Sequence, residues 1–219
     1  MSDTGSRIET VIGMVKLEEK RNRGWPWPND SWGLTPMYGE DGWCRSCGVP
    51  KGPQTGSLVL RSKGFNASDG AWVPYWRYDA VCLGSDLSDE VAERFPSVSL
   101  MPVEWRNGQL GRATQIVPVV GREPWFDEAE LRERVVAFHG SAGAECGSCG
   151  VWRWYPLVWS MLPSLRARIP DDVDVAASPE WFGDGCKAFR QLVFRRPLAE
   201  TIAQASPRDF EMEEIHPAT

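Results

Sequence analysis

Apolar and polar positions alternate in part from residue 8 to 17, where Ile8, Ile12 and Met14 recur among polar neighbours, and this predicts a strand. From Arg21 to Gly42 the pattern dissolves into Trp, Pro, Gly and Asn, and Pro26, Pro28, Gly33 and Pro36 predict an irregular segment. Strands are predicted at Leu58–Leu60 and Trp72–Leu83, the second weakened by Pro74. A short helix is predicted over Asp86–Phe95, with acidic residues in its first turn and Pro96 ending it. Val98–Trp105 and Ile116–Val120 read as further strands. The clearest helix is Asp127–Phe138. Asp127 caps it, Glu130 stands at the reciprocal position of a capping box, and Phe126 is placed to staple onto Leu131. Leu131, Val135 and Phe138 form its expected inner face, and Gly140 ends it. Val151–Tyr155 reads as a strand. So do Val173–Val175 and Leu192–Phe194, before a helix from Pro197 to Ala205 and a closing strand through Phe210 and Met212. Strands and helices do not alternate regularly, which predicts an α+β fold of mixed or antiparallel sheets with a few short helices.

The 219 residues suffice for a sizeable core, and residues 1–219 are expected to form a single domain with a C-terminal strand-helix-strand unit at 173–215. Apolar residues make up 42% and charged residues 25%, too apolar for a disordered chain. Twelve tryptophans stand out. They imply large side chains filling a small core or a surface made for a partner. The formal charge of −6, with no Lys/Arg run longer than two, weighs against nucleic acid and suits solubility or a basic protein partner. No signal-peptide pattern opens the chain and no stretch reaches the roughly 18 apolar residues of a membrane span, so a soluble, cytoplasmic protein is expected.

In such a compartment cysteines ligate metals more readily than they form disulfides. Cys44-Arg45-Ser46-Cys47-Gly48 and Cys146-Gly147-Ser148-Cys149-Gly150 are two copies of one CxxCG motif and hold four of the six cysteines. Each CxxC sets two thiolates on a tight turn, and the glycine lets backbone N–H groups curl toward sulfur. Together, the knuckles at 43–48 and 145–150 supply the tetrahedral set of a structural Zn²⁺: Cys44, Cys47, Cys146 and Cys149, a split four-cysteine zinc ribbon. Redox chemistry is less favoured because neither motif is followed by a convincing helix to lower a thiol pKa. Four thiolates would also leave no position for catalytic water. Trp25, Trp27, Trp32 and Trp43 are expected to cover the first knuckle.

The remaining chemistry is sparse. Cys82 and Cys186 read as small buried apolar residues. His139 sits where a cationic group favours a helix C-terminus, and His216 lies near the chain end. No nucleophile elbow or phosphate-binding loop occurs, so no catalytic residue is assigned and a non-enzymatic role is expected. Asp171-Asp172 and Glu211, Glu213 and Glu214 read as solvated faces, and Arg195-Arg196, before a helix start, as weak evidence for an anion site.

The two CxxCG motifs, set behind an N-terminal strand and before a closing strand-helix-strand unit, resemble the double-CXXCG proteins of myxobacteria. These are immunity proteins of the swarming-inhibition type, which neutralise a cognate toxin in the cytoplasm. Arg45 departs from the proline frequent in such knuckles, and the segment from Trp25 to Trp43 is richer in tryptophan. The resemblance implies a zinc-stapled protein acting by stoichiometric binding, with a cognate toxin as partner, a basic one where charge guides the match. The alternative is a zinc-ribbon nucleic-acid-binding or transcription-associated protein using Arg45, Lys51, Arg61 and Lys63. A Trp-lined enzyme using paired carboxylates is a third reading.

Overall fold

The computed structural model describes residues 13–20, 26–63, 70–106, 108 and 110–215. A central sheet contains β1 (Met14–Glu19), β7 (Val119–Val120), β10 (Val175–Ala177), β12 (Leu192–Arg195) and β13 (Phe210–Glu214), in the order β13-β1-β12-β10-β7. Its pairs are antiparallel except β10 with β7. A flanking sheet contains β2 (Leu58–Arg61), β3 (Ala71–Trp72), β4 (Val81–Gly84), β5 (Ser99–Arg106) and β6 (Ala113–Val117), in the order β2-β5-β6-β4-β3. A third, small sheet places β9 (Trp152–Trp154) between β8 (Gly143–Glu145) and β11 (Trp181–Phe182). The helices are α1 (Leu34–Tyr38), α2 (Ser85–Arg94), α3 (Glu128–His139) and α4 (Arg196–Ala205). The fold is α+β with mixed sheets, as expected.

Successive side chains of a strand point to opposite faces, and here both faces of the central sheet are covered. Val15, Leu17, Val175, Ala177, Leu192 and Phe194 join one core with Leu87 and Val91 of α2 and Leu198 and Ile202 of α4. Met14, Ala176 and Val193 join the other, with Leu131 and Val135 of α3, Trp125 and Trp159. Burial on both sides explains why residues 14 to 17 show no clean hydrophobic alternation. Even Lys16 is buried, its ammonium 3.4 Å from Gln191 Oε1 and over the Trp159 ring at 5.6 Å. The flanking sheet divides likewise. Val81 and Leu83 face α2, whereas Trp72 and Cys82 face Met37 of α1.

Proline decides most departures from the expected elements. Pro118 cannot donate to a ladder, so 116–120 splits into β6 and β7, which belong to different sheets. Similarly, 72–83 becomes two strands joined by a turn in which Arg77 N–H bonds Pro74 O at 2.9 Å. Pro36 does not abolish regular structure but sits in the first turn of α1, where its missing N–H has no partner to lose. The strand predicted at 173–175 lies at 175–177, and the expected strand-helix-strand unit takes the form of β10, β12, α4 and β13. Ile8 and Ile12 lie outside the described residues.

Helix α3 begins as expected, with Asp127 Oδ1 accepting from Glu130 N–H at 2.9 Å. Glu130's own carboxylate turns to Arg134, at 2.6 Å, rather than back to the cap. Phe138, assigned to the inner face, is instead 61% exposed. Polar contacts anchor the end of the helix: Arg134 donates to Met161 O and Leu162 O, and His139 Nε2 lies 2.9 Å from Pro156 O.

Candidate metal centre

Each CxxCG folds as a turn closed by its own backbone. In the first, Gly48 N–H bonds Cys44 O at 2.8 Å and Cys44 N–H bonds Val49 O at 2.9 Å. In the second, Gly150 N–H bonds Cys146 O at 2.8 Å and Cys146 N–H bonds Val151 O at 3.0 Å. Gly48 and Gly150 have φ of 76° and 71°, the left-handed conformation that glycine adopts without strain. The second turn is the tip of the β8–β9 hairpin. Neither turn opens a helix.

The two turns meet residue by residue. Cys44 Sγ lies 3.8 Å from Cys146 Sγ, Cys47 Sγ lies 3.6 Å from Cys149 Sγ, and the Ser46 and Ser148 hydroxyls hydrogen-bond at 2.7 Å. All six cysteines are free thiols, and the four sulfurs of the knuckles lie within 4.8 Å of one another. A tetrahedron with metal–sulfur bonds of about 2.3 Å has edges of about 3.8 Å, so the cluster has the size of a four-thiolate metal site. Cys44, Cys47 and Cys146 are buried, whereas Cys149 is exposed.

The electrostatics divide the thiols by position. Burial acts to raise Cys44, but hydrogen bonds led by the Ser46 backbone N–H lower it overall. The backbone N–H groups of Ser148 and Cys149 hold Cys146 well below the ordinary thiol value. Burial pushes Cys47 up, and local desolvation of the sulfur by the facing knuckle raises Cys149 although the residue as a whole is exposed. The first cysteine of each knuckle is thus favoured as thiolate, and a divalent cation would supply the charge that lets the second ionise.

A segment not anticipated as part of the site forms its apolar wall. Val49 and Ala188 are buried with the cysteines, and Val151 and Trp181 pack against them. Residues 181–189 fold back so that Phe182 and Phe189 exchange backbone hydrogen bonds at 2.9 and 3.0 Å. Cys186 O is so close to Gly48 that a Cβ there would lie 2.3 Å from it. The sequence signal was modest: an aromatic pair, Trp181-Phe182, before two glycines, Gly183 and Gly185.

The tryptophan-rich segment covers the knuckle only in part. Trp43 is buried, donates to Thr35 Oγ1 at 3.2 Å and carries the Arg45 guanidinium over its ring at 4.1 Å. Trp32 donates to Cys186 Sγ at 3.0 Å, which makes Cys186 a half-buried acceptor rather than a fully buried apolar residue. Trp27 turns elsewhere. It is 45% exposed and packs on Tyr75 at 4.1 Å. From there an aromatic row continues through Trp76 (5.1 Å), Tyr78 (6.0 Å) and Phe189 (5.3 Å), with the Lys187 ammonium 3.6 Å over Trp76. Trp76 has φ of 64° in the third position of the 74–77 turn, where glycine is usual. Trp25 lies outside the described residues.

Cys82 is fully buried, and burial drives its thiol pKa up. Arg195 and Arg196, considered for an anion, are already engaged: Arg195 with Pro170 O and Asp171, Arg196 with both carboxylate oxygens of Glu214. Asp172 and Glu211 are exposed, as solvated faces require. Arg45 pairs with Glu40 at 2.6 Å, Lys51, Arg61 and Lys63 are exposed, and His216 lies outside the described residues. No helix among the described residues is long and apolar enough to cross a membrane. Comparison with protein-family models, curated proteins and solved structures finds no match.

Proposed function

We propose that Cys44, Cys47, Cys146 and Cys149 hold one structural Zn²⁺, and that the fold so closed is a cytoplasmic immunity protein that neutralises a cognate toxin by binding it. Four sulfurs at tetrahedral spacing support the metal reading, and all-thiolate ligation suits zinc with no open position for chemistry. Zinc there staples two segments 102 residues apart and so adds to folding free energy directly. Its part is to hold the chain; what the protein does lies on its surface.

The observation that carries the binding role is the aromatic row from Trp27 to Phe189. Trp and Tyr dominate the energetics of protein interfaces because they bury large areas at low entropic cost. A tryptophan held at positive φ is strained, and strain of this kind gathers where function requires it. Net acidity adds long-range attraction toward a basic partner. The resemblance of the paired motifs to double-CXXCG immunity proteins supplies the toxin as that partner.

Co-expression with the product of the neighbouring gene tests the reading. The expected result is a toxic neighbour rescued by the wild type and rescued poorly by Trp27→Ala/Tyr78→Ala, with zinc content unchanged. A neighbour harmless on its own would overturn it. The nucleic-acid alternative predicts salt-sensitive DNA or RNA binding, and its absence in a filter assay would remove that alternative.

A further inference from the structure

A cleft of about 450 Å³ lies where the flanking sheet, the central sheet and the chain leaving the first knuckle converge. Its volume falls within the usual range for small-molecule sites. Three cations line it, Lys51, Arg77 and Arg190, against one anion, Asp79. In a chain of net charge −6 this is a local reversal of sign.

The charged groups are held in unusual ways. The Arg77 side chain is only 5% exposed and lies 3.0 Å from Asp79 Oδ1. That contact is an ion pair without hydrogen-bond alignment, and it leaves Arg77 Nε and Asp79 Oδ1 buried with no hydrogen-bond partner. Buried polar groups are normally satisfied, so these two are receptive to a further donor or acceptor. Arg190 stacks its guanidinium 4.0 Å over Trp181 and bonds Ser178 O. A planar cation fixed on an aromatic ring keeps its outer edge oriented for bidentate recognition of an anion. Between these groups the lining includes the apolar Met37, Pro50 and Val117 beside the polar Tyr38, Gln54 and Gln115.

We propose that this cleft is a binding site for a small organic anion, a carboxylate or phosphate ester on a compact apolar or aromatic body. The anionic head meets Arg77, Arg190 and Lys51, and the body lies along Trp181 and the apolar wall. Trp181 also packs on the cysteine cluster, so one side of the site is built on the knuckles. The inference is independent of the toxin-binding reading, which places its partner on the aromatic row.

Calorimetric titration of the full chain with benzoate and with phenyl phosphate tests it, with benzyl alcohol and inorganic phosphate as controls. At least one aryl anion is expected to bind saturably at one site, with the controls at least roughly tenfold weaker. Arg190→Gln is expected to weaken that binding roughly tenfold, and Lys51→Gln, a change at an exposed side chain, to weaken it severalfold without affecting the fold. If Arg190→Gln does not fold, Lys51→Gln alone decides between the outcomes. The proposal is overturned if neither aryl anion saturates by about ten millimolar. It is also overturned if benzyl alcohol or inorganic phosphate binds equally well, if the folded variants bind like the wild type, or if only an acidic peptide titrates, which would make the cleft a protein-docking feature.

Discussion

Gly48 and Gly150 occupy the same place in the two knuckles, yet replacing each by alanine should have different consequences. Both have positive φ, 76° and 71°, so a Cβ at either costs about 1–2 kcal/mol of left-handed strain. The surroundings then separate them. At Gly150 the nearest atom to an added Cβ is Glu145 Oε1, the movable end of a side chain, at 3.9 Å. At Gly48 the nearest is the backbone oxygen of Cys186, at 2.3 Å, and the carbonyl carbon follows at 2.9 Å. Cβ contacts do not normally fall below 3.0 Å, so the 181–189 segment must retreat from the cysteines by several tenths of an ångström. Overpacking of this kind costs about 1–3 kcal/mol. Gly48→Ala should therefore lose about 2–5 kcal/mol and Gly150→Ala about 1–2 kcal/mol. Urea unfolding followed by tryptophan fluorescence measures both, and release of metal to a chromogenic chelator should be faster for Gly48→Ala alone. Equal shifts in the two unfolding midpoints would show that the 181–189 segment does not brace the first knuckle.

If the proposed metal joins the two knuckles, stripping it or replacing Cys146 by Ser removes a link across 102 residues. Chain entropy gives about 4.7 kcal/mol for a cross-link of that span, so the urea midpoint should fall sharply and return when Zn²⁺ is restored to the wild type only. Leu131→Ala should cost about 2–5 kcal/mol, whereas Phe138→Ala at its exposed site should stay within about 0.5 kcal/mol in the same assay. Trp76→Asn should relieve the strained turn and hold or raise the melting temperature while weakening partner binding; a stability loss above about 1 kcal/mol would refute that account. Burial, reinforced by repulsion from Asp209, raises Glu19 from 4.5 to about 7. The native state then binds the extra proton between these values, so stability is fully present below pH 4.5 and declines as pH rises to 7. Glu19→Gln should remove that slope and stabilise the protein at pH 8 by about 1–2 kcal/mol, allowing for solvent screening of a half-exposed carboxylate, while changing little at pH 4.

The features legible in the sequence were those set by residues near one another in the chain. The CxxCG turns, the Asp127 cap and Gly140 stop of α3, and the Pro197 start of α4 each follow from short-range sterics and hydrogen bonding. Positions set by distant neighbours were harder to read. Val15 and Lys16 are both buried because the central sheet is covered on two sides, which no alternation in residues 14 to 17 reveals. The hydrophobic repeat of α3 included Phe138, but Arg134 and His139 anchor the end of the helix by polar contacts. Pro118 signalled an interruption without showing that the strands on either side enter different sheets. The knuckle wall at 181–189 and the meeting of Arg77 with Arg190 depend on long-range closure that spacing alone does not encode.

Three contacts between the knuckles each join a residue to the one 102 positions later: Cys44 to Cys146, Ser46 to Ser148, Cys47 to Cys149. The two turns therefore match in backbone and ligand pattern, although Cys186 O packs closely on Gly48 and not on Gly150. A knuckle would be completed as well by its counterpart in another molecule. What selects the internal match is mass action, since a tethered half-site meets its mate at an effective concentration of millimolar order. Chains that acquire metal before the intervening segment has folded lose that advantage, and at high protein concentration they should form metal-bridged exchanged dimers. Order of assembly, rather than affinity, would then decide between monomer and dimer.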